Sequence, residues 1–200
     1  MQDSIKRDFQ HSIQIKEKVI NELLPEIEHS TKLMISAFKS GKKLLVCGNG
    51  GSAADAQHFV AELIIRYEKD RKALPAIALT TNSSNLTAGA NDLGYAEVFA
   101  RKVEALGSEG DVLVGITTSG NSENIIKALK IAKQKGMKTI CLNGKTGGKV
   151  NDLIKTNDLV VDSNIVIPAD NTARIQESHI TIIHSWCKLI EDAFIENEPN

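Results

Sequence analysis

Twice in this chain a short apolar run stops at a cluster of glycines or hydroxyls and passes at once into an amphipathic segment. KLLVC at residues 43–47 leads into Gly48-Asn49-Gly50-Gly51-Ser52 and then a helical stretch over about 53–67. DVLVGI at 111–116 leads into Thr117-Thr118-Ser119-Gly120-Asn121-Ser122 and a helical stretch over 123–135 that ends at Gly136. Such runs are short for a helix and do not alternate, which is the pattern of a strand covered on both faces. PAIALT at 75–80 and KTICL at 138–142 are two more, separated by helical segments that include 97–106. A weaker extended region holds Val160 and residues 165–167, and a last helix is expected over about 173–194. Strands alternating with helices predict an α/β fold, a single doubly wound parallel sheet flanked by helices, with ligand loops at the carboxyl ends of the strands.

Upstream of the first strand the period is helical. Ile5, Phe9, Ile13, Ile20, Leu24, Ile27, Leu33, Met34 and Phe38 recur at three- and four-residue steps. Pro25 is placed in the first turn of a second helix, which Gly41 ends. The chain therefore reads as one domain over 1–200, with N-terminal helices over 1–41 and an α/β core over 42–200. Only the closing ENEPN reads as frayed. The apolar stripe of the N-terminal helices is either a docking surface for another chain or a cover for the sheet of its own chain.

Composition excludes several classes of function. With 24 basic and 25 acidic residues the net charge is −1, and nothing in it points to a basic face for a nucleic-acid backbone. The three cysteines, Cys47, Cys141 and Cys187, are far apart and form no CxxC pair, against a disulfide framework or a thiolate zinc site. The N-terminus lacks the apolar core of a signal peptide, and no apolar run approaches membrane-spanning length. The expectation is a cytoplasmic protein without membrane or nucleic-acid partners.

Both loops suit an anion. In residues 48–52 glycine permits close backbone approach, and the helix that follows presents unpaired N–H groups and a partial positive charge. Gly48-x-Gly50-x-x-Ala53 also fits the loose dinucleotide fingerprint, but the second strand ends in Thr80-Thr81-Asn82 where a ribose-binding acid would stand. In residues 117–122 four hydroxyls and a glycine could surround a phosphate without any Lys or Arg. A helix N-cap would explain one of them, though not a cluster this dense.

His58 and Glu62 lie four residues apart on one face of the helix after the first loop. Gln176 and His184 lie two turns apart on the last helix, among Ile175, Ile180, Ile182, Ile183, Trp186, Leu189 and Ile190, where polar groups need partners. These four are either a metal or acid–base site or, on the plainer reading, a surface ion pair and a satisfied core histidine. His11, His29 and His179 are assigned to the surface or to the surroundings of the site.

GNGGSAADAQHFVAEL, GANDLGY, GDVLVGITTSGNSENIIKA and ARIQESHITIIH, taken together and in this order, resemble the SIS (sugar isomerase) domain family, and within it the phosphoheptose isomerases. The likeness covers essentially the whole chain. It implies an SIS-type fold and an aldose–ketose isomerase that interconverts sedoheptulose 7-phosphate and D-glycero-D-manno-heptose 7-phosphate through an enediol, at the start of ADP-heptose and lipopolysaccharide core biosynthesis. It further implies a homotetramer with sites between subunits and one zinc ion per subunit. Carried over, it makes His58, Glu62, Gln176 and His184 zinc ligands and Glu62 and His184 the acid–base pair. Asn49, Gly50, Gly51, Ser52, Glu62, Asn91, Asp92 and Gln176 become substrate contacts, with Thr117, Thr118, Ser119 and Ser122 holding the phosphate. Thr117 stands where many relatives have Ser, and Ala173 where some have an acidic residue. A non-catalytic relative of the same fold, which binds the bacterial replication initiator, is the alternative; Glu62 and His184, which that group lacks, favour the enzyme.

Overall fold

A computed structural model describes residues 1–195 of the chain; the expected fraying at 196–200 lies outside the described residues. Five strands, β1 (Leu44–Gly48), β2 (Ala76–Ala78), β3 (Val112–Ile116), β4 (Lys138–Gly144) and β5 (Ser163–Ile167), form one sheet in the order β2-β1-β3-β4-β5. Every pairing is parallel. Among the described residues seven helices flank the sheet: α1 (Gln2–Lys39), α2 (Gly51–Ile64), α3 (Ser83–Asp92), α4 (Val98–Leu106), α5 (Glu123–Gln134), α6 (Gly148–Lys155) and α7 (Thr172–Ile195), with a 3-10 turn at Tyr95–Glu97.

The side-chain alternation of the strands divides the core in two. Leu44 and Val46 of β1 face a layer built from α1, α2 and α7, with Met34, Phe59, Leu63, Ile183 and Trp186 fully buried in it. Leu45 and Cys47 face the opposite layer, where Phe99, Val103, Ile125 and Leu129 of α4 and α5 meet the sheet. This is the two-sided cover that uninterrupted apolar runs require.

The N-terminal region differs from expectation. Residues 2–39 form one continuous helix with Pro25 inside it, not two helices separated at Pro25. Proline in a helix interior forfeits the bond to the carbonyl four residues back, at a cost of about 3 kcal/mol. Packing on both sides of the proline offsets it: Ile15 and Val19 before, and Ile27, Met34 and Phe38 after, are all buried in the same layer. Trp186 Nε1 donates to Ser30 Oγ at 3.0 Å, and Ser163 Oγ donates to Glu26 Oε1 at 2.5 Å, fixing the turn just past the proline to α7 and β5. The helix does end as expected at Gly41, whose φ of +70° is the left-handed conformation glycine adopts without penalty. At its other end Arg174 of α7 donates to the Asp8 carbonyl, but the apolar Ile5, Phe9 and Ile13 are exposed.

The segments missed by sequence reading are α3 and α6. No residue of α3 is fully buried; Leu86 and Ala90, one turn apart, reach the core half-buried, a stripe too thin to signal a helix. Its N-terminus is set by Asn82, whose side chain accepts from the Asn85 N–H. Val160 lies outside the strand that Ser163–Ile167 forms.

His11 and His29 are on the surface, but His179 is fully buried, and its Nε2 lies 2.9 Å from the Asn143 carbonyl oxygen at the end of β4. Burial drives its pKa down from 6.5 to about 4, with the Asn143 bond acting weakly in the other direction. The folded protein therefore holds His179 neutral where the unfolded chain binds a proton. Its contribution is full above pH 6.5 and is lost as pH falls from 6.5 towards about 4. At about 1.4 kcal/mol per pH unit this amounts to roughly 3 kcal/mol. In His179→Gln, urea unfolding at pH 7.5 and 4.5 is expected to show a smaller loss of stability on acidification than in the unmodified protein.

Candidate functional site

The strand order reverses between β1 and β3, and at such a switch point two loops diverge to opposite sides of the sheet and leave a crevice. The last register pair there is Gly48 with Ile116, so the glycine loop and the hydroxyl loop leave the sheet side by side. Gly50 has φ +56° and ψ −123°, a backbone state that suits glycine alone, and it starts α2 without a side-chain cap. No acidic side chain stands in the first turn of α2, so the positive end of that helix is not neutralised locally. Ser52 is buried just behind the loop.

In the hydroxyl loop Thr117 is buried and Thr118, Ser119 and Ser122 are partly exposed. Thr117 Oγ1 and Ser122 Oγ lie 3.1 Å apart, and Ser119 Oγ accepts from the Asn121 N–H at 3.3 Å. Gly120, at φ +68°, has no room for a Cβ because the Gly147 carbonyl abuts it, so the loop after β4 buttresses this one. Glu123 in the first turn of α5 works against an anion, though Lys149 Nζ stands 4.0 Å from its carboxylate.

The ionisable residues meet where α2 and α7 run alongside one another. His58 Nε2 is 3.1 Å from Glu62 Oε1 and 3.3 Å from His184 Nε2, and the two imidazole centroids are 5.1 Å apart. Tyr67 lies against the other imidazole, 5.8 Å from its centroid. One Nε2–H of His58 cannot serve both neighbours, so the contact leaves a donor atom in want of a proton or cation. Both spacings are close to the roughly 3.3 Å edge of a tetrahedron with zinc–nitrogen bonds of about 2.0–2.1 Å. Among the described residues, however, no group of three or more His, Cys, Asp and Glu closes around one point that could hold a metal ion. Asp55, one turn before His58, has a buried Oδ2 without a hydrogen-bond partner, and burial raises its carboxyl pKa, with the charge of His58 pulling the other way.

His58 and Glu62 line an open cavity of about 760 Å³ together with Gln57, Ala61, Ile77 and Thr81, bounded by the edge strand β2. Gln176 sits two turns before His184 on α7, and its amide lies against Gly51, filling the space a Cβ there would need. The same two helices thus join the glycine loop to the imidazoles, about 10 Å away along α2. Asn91 and Asp92 stand apart from this group: both are exposed at the end of α3, and Asn91 Nδ2 donates to Asp92 Oδ1 at 2.7 Å.

Two residues at the site escaped sequence reading. Asn124 exchanges a pair of 2.9 Å bonds with Asn49, and Tyr95 Oη donates to Asn49 Oδ1 at 3.0 Å. An asparagine turned inward from a helix whose other inward positions are apolar was the available signal for Asn124. Tyr95, on a segment with no period, offered none.

The SIS domain family model matches residues 9–144. A phosphoheptose isomerase of Aliarcobacter butzleri is 50% identical over 192 residues, 96% of this chain and 98% of that protein. The solved phosphoheptose isomerase of Neisseria gonorrhoeae superposes with a TM-score of 0.87 at 42% identity, over 96% of this chain and 98% of its own. That of Francisella tularensis gives 0.89 at 43%, over 95% and 97%.

Gly51→Ala should be tolerated by the backbone at the first position of a helix, with a stability change within about 0.5 kcal/mol. The new methyl would displace the Gln176 amide. Side-chain amide NMR should show a shifted Gln176 resonance while the thermal midpoint stays near that of the unmodified protein.

Proposed function

We propose that this chain, which belongs to the SIS domain family and within it to the phosphoheptose isomerases, interconverts sedoheptulose 7-phosphate and D-glycero-D-manno-heptose 7-phosphate through an enediol. The observation that carries the reading is the meeting of Glu62 and His184 at one atom of His58, in a single chain, on helices that also frame the glycine loop. Moving a carbonyl between C1 and C2 requires a base for the carbon-bound proton and an acid–base group for the oxygens. Glu62, partly buried and facing an open cavity, is the carbon base: it takes the proton from C1 of the ketose and returns it to C2. His184 transfers the proton between the two oxygens. Thr117, Thr118, Ser119 and Ser122, at the amino end of α5, hold the phosphate through hydroxyls and backbone N–H groups. Asn49, Gly50, Gly51, Ser52 and Gln176 line the sugar, with Asn91 and Asp92 on the approach.

Zinc is the proposed cofactor, held by His58, Glu62 and His184, with the neutral amide of Gln176 as a fourth ligand only once it turns away from Gly51, against which it lies in this structure. Two donor spacings of the right length support it, while the donors do not close as a set among the described residues. When bound, zinc would supply a Lewis acid for the carbonyl and its enediolate. A homotetramer with sites between subunits is likewise proposed. It is supported by the uncovered apolar end of α1, a helix segment marginal by itself in water, and by the openness of the Glu62 cavity at the sheet edge. No helix among the described residues is long and apolar enough to cross a membrane. A cytoplasmic place at the head of ADP-heptose and lipopolysaccharide core synthesis completes the proposal. The alternative, a non-catalytic binder of a replication initiator, has no support from the curated relatives about 50% identical to this chain or from the solved structures above 40% identity described above, which are named as phosphoheptose isomerases.

Glu62→Gln is expected to lower kcat with sedoheptulose 7-phosphate by about 10²- to 10⁴-fold. It should also stop deuterium incorporation from heavy water, with the thermal midpoint unchanged. Unimpaired turnover would remove Glu62 from the base role. Protein purified without chelator should carry one zinc per chain, and His58→Ala should lose it. Full activity at a small fraction of that zinc content would remove the metal from the reaction.

A further inference from the structure

Asn49 begins the glycine loop, and its carboxamide is almost wholly committed before any ligand arrives. Its Nδ2 donates to Asn124 Oδ1 at 2.9 Å, and Asn124 Nδ2 donates back to Asn49 Oδ1 at 2.9 Å. Tyr95 Oη donates to the same Asn49 oxygen at 3.0 Å. A carboxamide has two acceptor sites and two N–H donors, so Asn49 keeps one free N–H and no free acceptor site. Asn124 is 3% exposed, at the second position of α5, and has no other side-chain hydrogen bond among the described residues. An asparagine in the first turn of a helix usually faces water or bonds to nearby backbone. This one is turned inward onto a loop that hangs from a different strand. Among the described residues the Asn49–Asn124 pair is the only side-chain hydrogen-bonded link between residues 48–52 and the segment 117–124. A closed two-bond amide pair fixes the planes of both carboxamides, which a single bond would leave free to turn.

We infer that Asn124, seconded by Tyr95, is a positioning residue: it fixes Asn49 as a one-donor contact and holds the glycine loop in place against the hydroxyl loop. Asn124 does not touch substrate; it acts through Asn49. The oriented N–H suits an oxygen acceptor, such as a hydroxyl, carbonyl or phosphate oxygen of the open-chain sugar phosphate. In naming that ligand the inference rests on the isomerase reading, whereas the clamp itself rests on geometry.

The test is a double-mutant cycle on Asn49→Ala and Asn124→Ala, with Tyr95→Phe as a milder variant, read in kcat and KM for sedoheptulose 7-phosphate and in thermal midpoint. Asn124→Ala is expected to lower kcat/KM by about ten- to hundredfold, chiefly through KM, the loss typical of a disrupted buried hydrogen bond. Added to Asn49→Ala, it should cost nothing further, because a residue that acts only through another is silent once that other is gone. Tyr95→Phe deletes one hydroxyl of an exposed ring. It should give a smaller loss that also vanishes in the Asn49→Ala background. Additive losses in either double variant, or an Asn124→Ala protein altered only in thermal midpoint, would overturn the inference. An unmodified protein without turnover would defeat the isomerase reading alone. The same cycle is then read in calorimetric affinity for sedoheptulose 7-phosphate, where additivity or the absence of any Asn124 effect again defeats the clamp.

Discussion

The parallel pairing of β1 with β3 is the constraint from which the site follows. With Gly48 opposite Ile116, two loops of unlike chemistry emerge from adjacent strands, and the helices that follow them diverge to opposite faces of the sheet. One loop offers backbone and the unneutralised end of a helix; the other offers hydroxyls. A shift in register would carry one loop past the other and part Asn49 from Asn124. The buried strands resist this because an odd slip would exchange Leu44 and Val46 with Leu45 and Cys47 between two differently shaped layers.

The second organising element is α7. It packs beside α1 and α2 and beneath β4 and β5, and residues at successive levels do separate work. Gln176 fits against Gly51, His179 bonds to the end of β4, His184 meets His58, and Trp186 reaches Ser30 in α1. Near its end, the buried Glu191 accepts the backbone N–H groups of Tyr67, Glu68 and Lys69, tethering the segment that lays Tyr67 on the His184 imidazole. The carboxyl end of α2 is held in turn by Arg71, whose guanidinium donates to the carbonyls of Glu62 and Leu63. His179, Trp186 and Glu191 of this helix are thus spent on fixing other elements, and the site inherits its order from the core.

What the sequence made legible has a common cause. The first four strands and the helices α2, α4, α5 and α7 announce themselves because each has apolar residues at the period of its own geometry, while β5 showed only as a weaker extended region. The loops were legible because glycine and hydroxyl clusters have few other uses at a strand's end. Pro25 misled because local propensity argues for a break, while Ile15, Val19, Ile27 and Met34 keep one helical face buried across it. His179 was left between the surface, which its burial excludes, and the surroundings of the site, because no pattern separates a buried neutral histidine from an exposed one on a helix apolar over much of its surface. The mostly exposed helix α3, which meets the core through the half-buried Leu86 and Ala90, could not be read at all.

By itself the sequence determined the alternation of elements, the two loops, and the residues with the chemistry for acid–base and phosphate work, since these depend on periodicity and residue type. Only the tertiary structure decided that β1 and β3 are neighbours, that α7 brings His184 within 3.3 Å of His58 on α2, and that Asn124 and Tyr95 hold Asn49. Such contacts join residues up to 126 positions apart. They are fixed by how whole layers pack, and no local run of side chains records that.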